Sequence, residues 1–220
     1  MVGFVEGSED QGPEARVKHL DHVTRRSAVA LVVAVVLLFV LVAWTARGGS
    51  VAEVDREART LIRQGRLTAL ETPMRVIGTL ATGYVLLPVT LACSVVLWRR
   101  RHRMVARVLP AIGLGAVVAL ALTKWLIDKP RPRLRGYGFP SGHVFGVTVF
   151  VVIAIYLLWY FDARRGWQRA ARAGAVVFVT AVGYSRIYVD AHWLSDVIGG
   201  LLAGIAFSLV MVLVLDARLR

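Results

Sequence analysis

From Ala28 to Trp44 the chain carries no charged, amide or hydroxyl side chain. A helix with one apolar stripe can lie on a soluble core, but a helix that is apolar all round has to be enclosed or immersed in hydrocarbon. Further predominantly apolar runs cover 76–98, 104–127, 141–161, 173–188 and 191–215. Short basic clusters separate them, notably Arg99-Arg100-Arg101-His102-Arg103 and the group Arg164, Arg165, Arg169 and Arg172. Hydrophobic residues make up 57% of the 220, and the mean hydropathy of +0.62 matches immersion rather than a water-facing surface. The pattern predicts an all-α fold, a bundle of six transmembrane helices.

Residues 1–26 are polar, rich in Gly, Glu, Asp and Pro, and close on Arg25-Arg26. They read as a cytoplasmic N-terminal tail, with 27–220 as one six-helix membrane domain. The run 28–44 is longer than a signal-peptide core and lacks a small-x-small cleavage site, which predicts a retained first helix. A twin-arginine export signal is the weaker alternative. Residues 47–73 carry nearly balanced charge and a few Val, Leu and Ile, the pattern of a short amphipathic surface element. The third run holds Pro110 with Gly113, Gly115, Ala116 and Ala119, small residues that permit close helix approach. It stops at Asp128-Lys129-Pro130-Arg131-Pro132, because proline cannot continue the hydrogen-bond ladder. A Gly-, Arg- and Pro-rich loop follows over 133–140, and Gly200-x3-Gly204 marks a packing face in the last run.

The net charge of +13 raises the question of nucleic acid. Its distribution answers against that partner, since the cations form clusters between apolar runs rather than one patch. Such clusters act as topology signals and as contacts for anionic lipid headgroups. An even number of crossings puts both termini on one side, and the clusters at 99–103 and 164–172 make that side cytoplasmic. All six tryptophans (Trp44, Trp98, Trp125, Trp159, Trp167 and Trp193) fall near predicted helix ends, as an interfacial belt requires. The lone Cys93 lies inside an apolar run, so neither a disulfide framework nor a cysteine metal site is expected.

The polar residues that remain are concentrated in 124–196, at the predicted extracytoplasmic ends of helices 3–6. Ionisable groups at a membrane boundary are costly to place and read as functional. Pro140-Ser141-Gly142-His143 opens the fourth helix: a capping serine, a glycine that allows close backbone approach, and free N–H groups at a positive dipole end make an anion site. The plainer reading is an ordinary capped helix start. His192 and Asp196 are four residues apart, so on a helix they share a face, and the carboxylate can fix the imidazole tautomer and free its other nitrogen. The plainer reading is a self-satisfied interfacial pair. Asp190 points elsewhere and reads as an N-cap. Lys124, Arg131 and Arg186, with Ser141 and the Gly142 amide, form a donor set suited to phosphoryl oxygens. Snorkelling or topology roles would also account for these cations, and for Arg133 and Arg135 they suffice. No acidic cluster prepares a two-metal site, so neither metal nor cofactor is expected. His19, His22 and His102 fall on the cytoplasmic side, away from this set.

Three blocks, Lys124-x6-Arg131-Pro132, Pro140-Ser141-Gly142-His143 and Ser185-Arg186-x5-His192-x3-Asp196, resemble the pattern of the type 2 phosphatidic acid phosphatase superfamily at every specified position. They span about a third of the chain. The resemblance implies a metal-independent lipid phosphatase of a bacterial cytoplasmic membrane. It assigns His192 as nucleophile through a phosphohistidine, Asp196 as its orienting partner and His143 as the acid that protonates the leaving oxygen. Lys124, Arg131, Ser141, Gly142, Ser185 and Arg186 would hold the phosphate. The same pattern occurs in vanadium haloperoxidases, which are soluble.

The substrate implied by family analogy is a polyprenyl diphosphate such as undecaprenyl diphosphate, cleaved to the monophosphate. Phosphatidylglycerophosphate and phosphatidic acid are the alternatives. A rival from another class is a non-catalytic membrane protein that binds lipid phosphate. Retention of both histidines and Asp196 argues against it. The expected partners are therefore the bilayer and a lipid phosphate, with the oligomeric state open.

Overall fold

The computed structural model describes residues 19–133 and 136–219; most of the expected N-terminal tail, and Arg135, lie outside them. The described chain is all-α, with eight helices: α1 (His22–Arg47), α2 (Ala52–Gln64), α3 (Thr68–Leu80), α4 (Gly83–Arg99), α5 (Arg103–Ile127), α6 (Gly142–Tyr160), α7 (Arg165–Tyr188) and α8 (Leu194–Leu219). No strand forms among the described residues; Pro130 and Tyr137 make one isolated bridge across the loop that precedes α6.

Four helices, α1, α5, α6 and α8, are long and apolar enough to cross a membrane, and α3 with α4 counts as a fifth span if the bent pair is one crossing. The sequence predicts a single second helix over 76–98. It is instead broken at Ala81-Thr82, and its halves bend by 44°. α7 is not among the apolar spans, because it begins at Arg165 and carries Arg165, Arg169 and Arg172 in its first turns. The basic cluster expected between two helices is therefore largely helical itself.

The segment 47–73 is more than a surface element. It folds into α2 and the start of α3, and α2 buries Asp55 against the rest of the fold. Its polar face makes it amphipathic, as the sequence predicts, but that face turns partly inward.

α8 lies at the centre, with α6 and α1 closely packed on it, while α7 packs chiefly against α6. Glycines make the α6–α8 seam tight. A Cβ on Gly200 would come within 2.6 Å of the Ser141 carbonyl oxygen, and one on Gly204 within 2.7 Å of the Thr148 side chain. Without a hydrophobic drive between helices in lipid, this close van der Waals contact is what holds such a pair together. The Gly200-x3-Gly204 motif thus sets how near α6 approaches α8. Phe139, fully buried, wedges against Gly199 and stacks 5.8 Å from Phe39 of α1. A larger apolar cluster (Leu109, Ile112, Phe145, Ile153 and Leu215 among its members) fills the middle of the bundle.

At one end of α6 stands His143. At the other, His19 lies 5.9 Å from the Tyr160 ring and His102 lies 4.5 Å from Phe161. Buried Asp216 accepts the Leu20 N–H at 2.9 Å at that same end. The histidines set aside in the sequence are thus a helix length away from those in the motifs.

Candidate active site

The three sequence blocks converge at the ends of α5, α6, α7 and α8. Lys124 occupies the last turn of α5, which Asp128 terminates in the left-handed region. Its Nζ reaches the carbonyls of Pro140 at 2.8 Å, Tyr137 at 3.3 Å and Gly138 at 3.4 Å. The lysine thereby folds the 136–140 loop over the end of α5. Arg131 Nε donates to the Tyr137 carbonyl at 3.1 Å, on the same loop. Gly138 lies between Arg131 and the Asp196 carboxylate, where a Cβ would come within 2.9 Å of Asp196 Oδ2.

Ser141 is the N-cap residue of α6, yet its hydroxyl makes no capping bond. Its Oγ is fully buried and has no hydrogen-bond partner, an orphan donor at a helix start whose N–H groups are also free. A buried hydroxyl left unpaired is costly unless a ligand meets it. Gly142 and His143 follow in the first turn.

His192 and Asp196 meet as expected, Nδ1 to Oδ2 at 3.2 Å, but not as two residues of one helix. α8 begins at Leu194, and His192 sits in the turn before it. Asp196 Oδ2 also accepts the Trp193 N–H at 3.0 Å, so the carboxylate caps the turn as well as holding the ring. Nε2 is left as the nitrogen available for chemistry. The His143 and His192 ring centroids stand 6.5 Å apart, edge to face, so the two imidazoles are neighbours. Burial holds the His192 pKa below the usual histidine value. The Asp196 hydrogen bond opposes that shift, and the charges of Arg131 and Lys124 reinforce it. The ring is therefore neutral, and nucleophilic, down to lower pH than a free histidine.

Arg186, 8% exposed, is held from two sides: Nε donates to Ser185 Oγ at 3.1 Å and Nη2 to the Met74 carbonyl of α3 at 3.3 Å. Ser185 is itself fully buried and donates to the Val182 carbonyl at 2.7 Å. A Cβ at Gly78 would overlap the guanidinium, so α3 offers Arg186 a slot that only glycine leaves open.

Asp190 is not the N-cap that the sequence suggests. It sits at φ 57°, 1% exposed, and draws in Arg59 at 2.7 Å, Arg133 at 3.6 Å and Arg66 at 3.8 Å. The turn after α7 points its carboxylate toward α2 instead of along α8. Arg133, with 62% of its side chain exposed, is otherwise the surface residue expected.

Several residues at the site escape sequence reasoning. Lys129 hides among the unspecified positions of the first block, Asp55 in a charge-balanced segment, and Gly78 gives no signal at all. Lys129 Nζ lies 2.7 Å from Asp55 Oδ2 and 3.5 Å from Asp196 Oδ1. An apolar cavity of about 230 Å³ runs between α4, α5 and α6, lined by Ala81, Leu86, Ala116, Gly142, Phe145 and Leu157 among others. Gly142, the residue before His143, lines this cavity, which places its apolar wall next to the start of α6.

Known proteins share sequence and fold with this chain. Phosphatidylglycerophosphatase B of Bacillus subtilis is 26% identical over 183 residues, which cover 79% of this chain and 89% of that protein. An undecaprenyl-diphosphatase of Sulfolobus acidocaldarius is 26% identical over 164 residues, 69% of this chain and 74% of that protein. The crystal structure of the transmembrane PAP2-type phosphatidylglycerolphosphate phosphatase from Bacillus subtilis superposes with a TM-score of 0.78 at 22% identity, over 86% of this chain and 97% of that one, a likeness of fold. The PAP2 superfamily model matches residues 128–220, the stretch that holds every block residue except Lys124. That stretch is similar to the PAP2 superfamily, the type 2 phosphatidic acid phosphatases whose pattern the sequence blocks resemble.

Proposed function

We propose that the protein is a lipid phosphatase of six membrane crossings (α1, the bent α3–α4 pair, α5, α6, α7 and α8), with cytoplasmic termini and an extracytoplasmic active site. The observation that carries the reading is the His192–Asp196 contact beside the His143 ring, with the charges of Lys124 and Arg131 acting on His192 and the Ser141 hydroxyl buried and unpaired. The membrane side rests on the positive clusters at 99–103 and around Arg165 to Arg172, which favour the cytoplasm.

In this mechanism the Nε2 lone pair of His192 attacks phosphorus as the bond to the leaving oxygen breaks, and His143 donates the proton that oxygen needs. Asp196 balances the positive charge that develops on His192. Lys124, Arg131, Arg186, Ser141 and the Gly142 N–H meet the phosphoryl oxygens, and Ser185 steadies Arg186. Water then attacks the phosphohistidine, His143 accepts its proton, and inorganic phosphate leaves while His192 is restored. Lys124, Arg131 and Arg186 are the cations that balance the phosphate charge in this reading.

The apolar cavity beside Gly142 supports a substrate with a hydrocarbon tail lying between helices. A polyprenyl diphosphate, undecaprenyl diphosphate foremost, is the proposed substrate. The similarity to phosphatidylglycerophosphatase B favours phosphatidylglycerophosphate as the second reading. Phosphate release by the purified chain, measured with EDTA present on undecaprenyl diphosphate, phosphatidylglycerophosphate and phosphatidic acid, decides between them. Release from none of the three would overturn the reading.

A further inference from the structure

The two oxygens of Asp196 keep different company. Oδ2 takes the His192 ring at 3.2 Å and the Trp193 N–H at 3.0 Å. Oδ1 has no hydrogen bond, although it is fully buried, and a cation stands just out of reach: Lys129 Nζ at 3.5 Å. Lys129 does not close that gap because it is engaged elsewhere, with Asp55 Oδ2 at 2.7 Å and with the Ser195 hydroxyl.

Asp55 comes from α2, 140 residues away from Ser195 in the chain, and is 3% exposed. Its Oδ1 accepts the Ser195 N–H at 2.8 Å and its Oδ2 accepts the Ser195 Oγ–H at 2.7 Å. The N–H groups of a first helical turn lack partners within their own helix. A carboxylate there is also favoured by the helix dipole. Asp55 thus caps α8 from another element, in the same turn that carries Asp196. It also gives Lys129 a nearer anion than Asp196.

We propose that Asp55 is a positioning residue of the active site: by anchoring Lys129 and the first turn of α8, it keeps the charge of Asp196 turned toward His192. The proposal rests on the reading of His192 and Asp196 as the reacting pair. Without the Asp55 charge, Lys129 has one carboxylate left to pair with, and Asp196 is 3.5 Å away. That pairing competes with His192 for Asp196. Without Lys129, by contrast, two carboxylates act on His192 with no cation between them. The charges of Asp55 and Lys129 therefore oppose each other at His192, and removing both comes close to restoring the balance. A helix that looks like a surface feature in the sequence thereby becomes part of the site.

The other charged groups around His192 are Lys124 and Arg131, with His143 beside it and Arg186 supported by α3. Asp190 with Arg59, Arg66 and Arg133 lies on the preceding turn. All of these stay constant in the test.

The test is the titration midpoint of His192, read by NMR on the full chain in detergent with ring-labelled histidine and assigned by comparison with His192→Gln. Asp55→Asn lowers the midpoint by about half a pH unit, Lys129→Met raises it by a similar amount, and the double variant returns near wild type. In turnover, Asp55→Asn loses about tenfold in kcat with KM within about twofold, and adding Lys129→Met recovers part of the loss. Shifts of the same sign in both single variants, or no shift in either, would overturn the proposal. So would a double variant slower than Asp55→Asn alone. If Asp55→Asn fails to fold, Lys129→Met decides alone, and an unchanged or lowered midpoint sinks the idea. The midpoints need no turnover, so a wild-type chain that releases no phosphate refutes the phosphatase reading, whereas the midpoints alone decide whether Asp55 and Lys129 set the charge at His192.

Discussion

The backbone N–H of Ser141 donates to the carbonyl oxygen of Asp196 at 2.8 Å. One hydrogen bond thus joins the start of α6 to the first turn of α8, and with it the His143 side of the site to the His192 side. The Gly200 contact on the Ser141 carbonyl lies in the same seam. The gap between the two imidazoles is therefore set by a helix–helix contact, whose stiffness exceeds that of a loop. For in-line displacement, where attacking and departing groups must lie on opposite sides of phosphorus, such a fixed gap favours reaction geometry.

His192→Ala is expected to lower kcat at least about a thousandfold while the helical content is unchanged, because the attacking nitrogen is gone. Asp196→Asn keeps the shape but loses the charge, with a loss of about a hundredfold or more. Acid-quenched reactions with labelled substrate should leave label on the wild-type chain and none on His192→Ala. Wild-type turnover by His192→Ala would refute the nucleophile assignment.

The acidity of His192 fixes a pH window. Burial lowers its pKa below 6.5, so the neutral imidazole persists as pH falls through the ordinary histidine range. The acid limb of the kcat–pH profile should accordingly lie below pH 6.5. Asp196→Asn removes the partner that favours the charged ring, and should move that limb further down. A limb above 6.5 would contradict the burial argument.

Gly78 tests the slot for Arg186. Gly78→Ala puts a methyl group where the guanidinium now lies, so Arg186 must leave its place between Ser185 and Met74. The expected result is a fall in kcat/KM of about a hundredfold, the scale of losing one transition-state donor. Gly83→Ala, where the nearest atom is an ordinary 3.9 Å contact, serves as the control and should cost little.

The cavity between α4, α5 and α6 makes a prediction about tails. Gly146→Leu projects a branched side chain toward Leu86, which already lies 3.5 Å from a Cβ at that position. KM for a long-chain lipid phosphate should rise about tenfold, while a short water-soluble phosphoester is turned over as before. Equal losses on both substrates would mean that the cavity holds no tail.

Membrane orientation is read by labelling. Tyr137 is 44% exposed on the loop before α6, and Cys93 is the single native thiol. Tyr137→Cys in a Cys93→Ser background should react with an impermeant reagent added outside intact cells. Labelling only after the membrane is opened would invert the proposed topology.

The candidate site residues stand out in the sequence because each has a chemical reason to differ from an apolar background. Lys124, Arg131, His143, Arg186, His192 and Asp196 are costly at helix ends and therefore conspicuous. Helix starts and stops were legible at Pro132 and Ser141, where backbone chemistry is local. The break at Ala81-Thr82 was not, since an apolar run with a bend reads the same as a straight one. Nor was the role of Asp190, whose carboxylate answers to Arg59 of a distant helix rather than to its own turn.

The sequence by itself determined the membrane class, the helical content, the three blocks and the pairing of His192 with Asp196, all of which follow from hydropathy, charge and short-range spacing. Tertiary structure alone decided that α2 reaches the site through Asp55, that Gly78 opens a slot for Arg186, and that Ser141 is tied to Asp196 across the α6–α8 seam. The physical reason is range. Burial cost and helix periodicity act within a few residues, whereas a carboxylate finds its lysine wherever the packing of whole helices brings the two together.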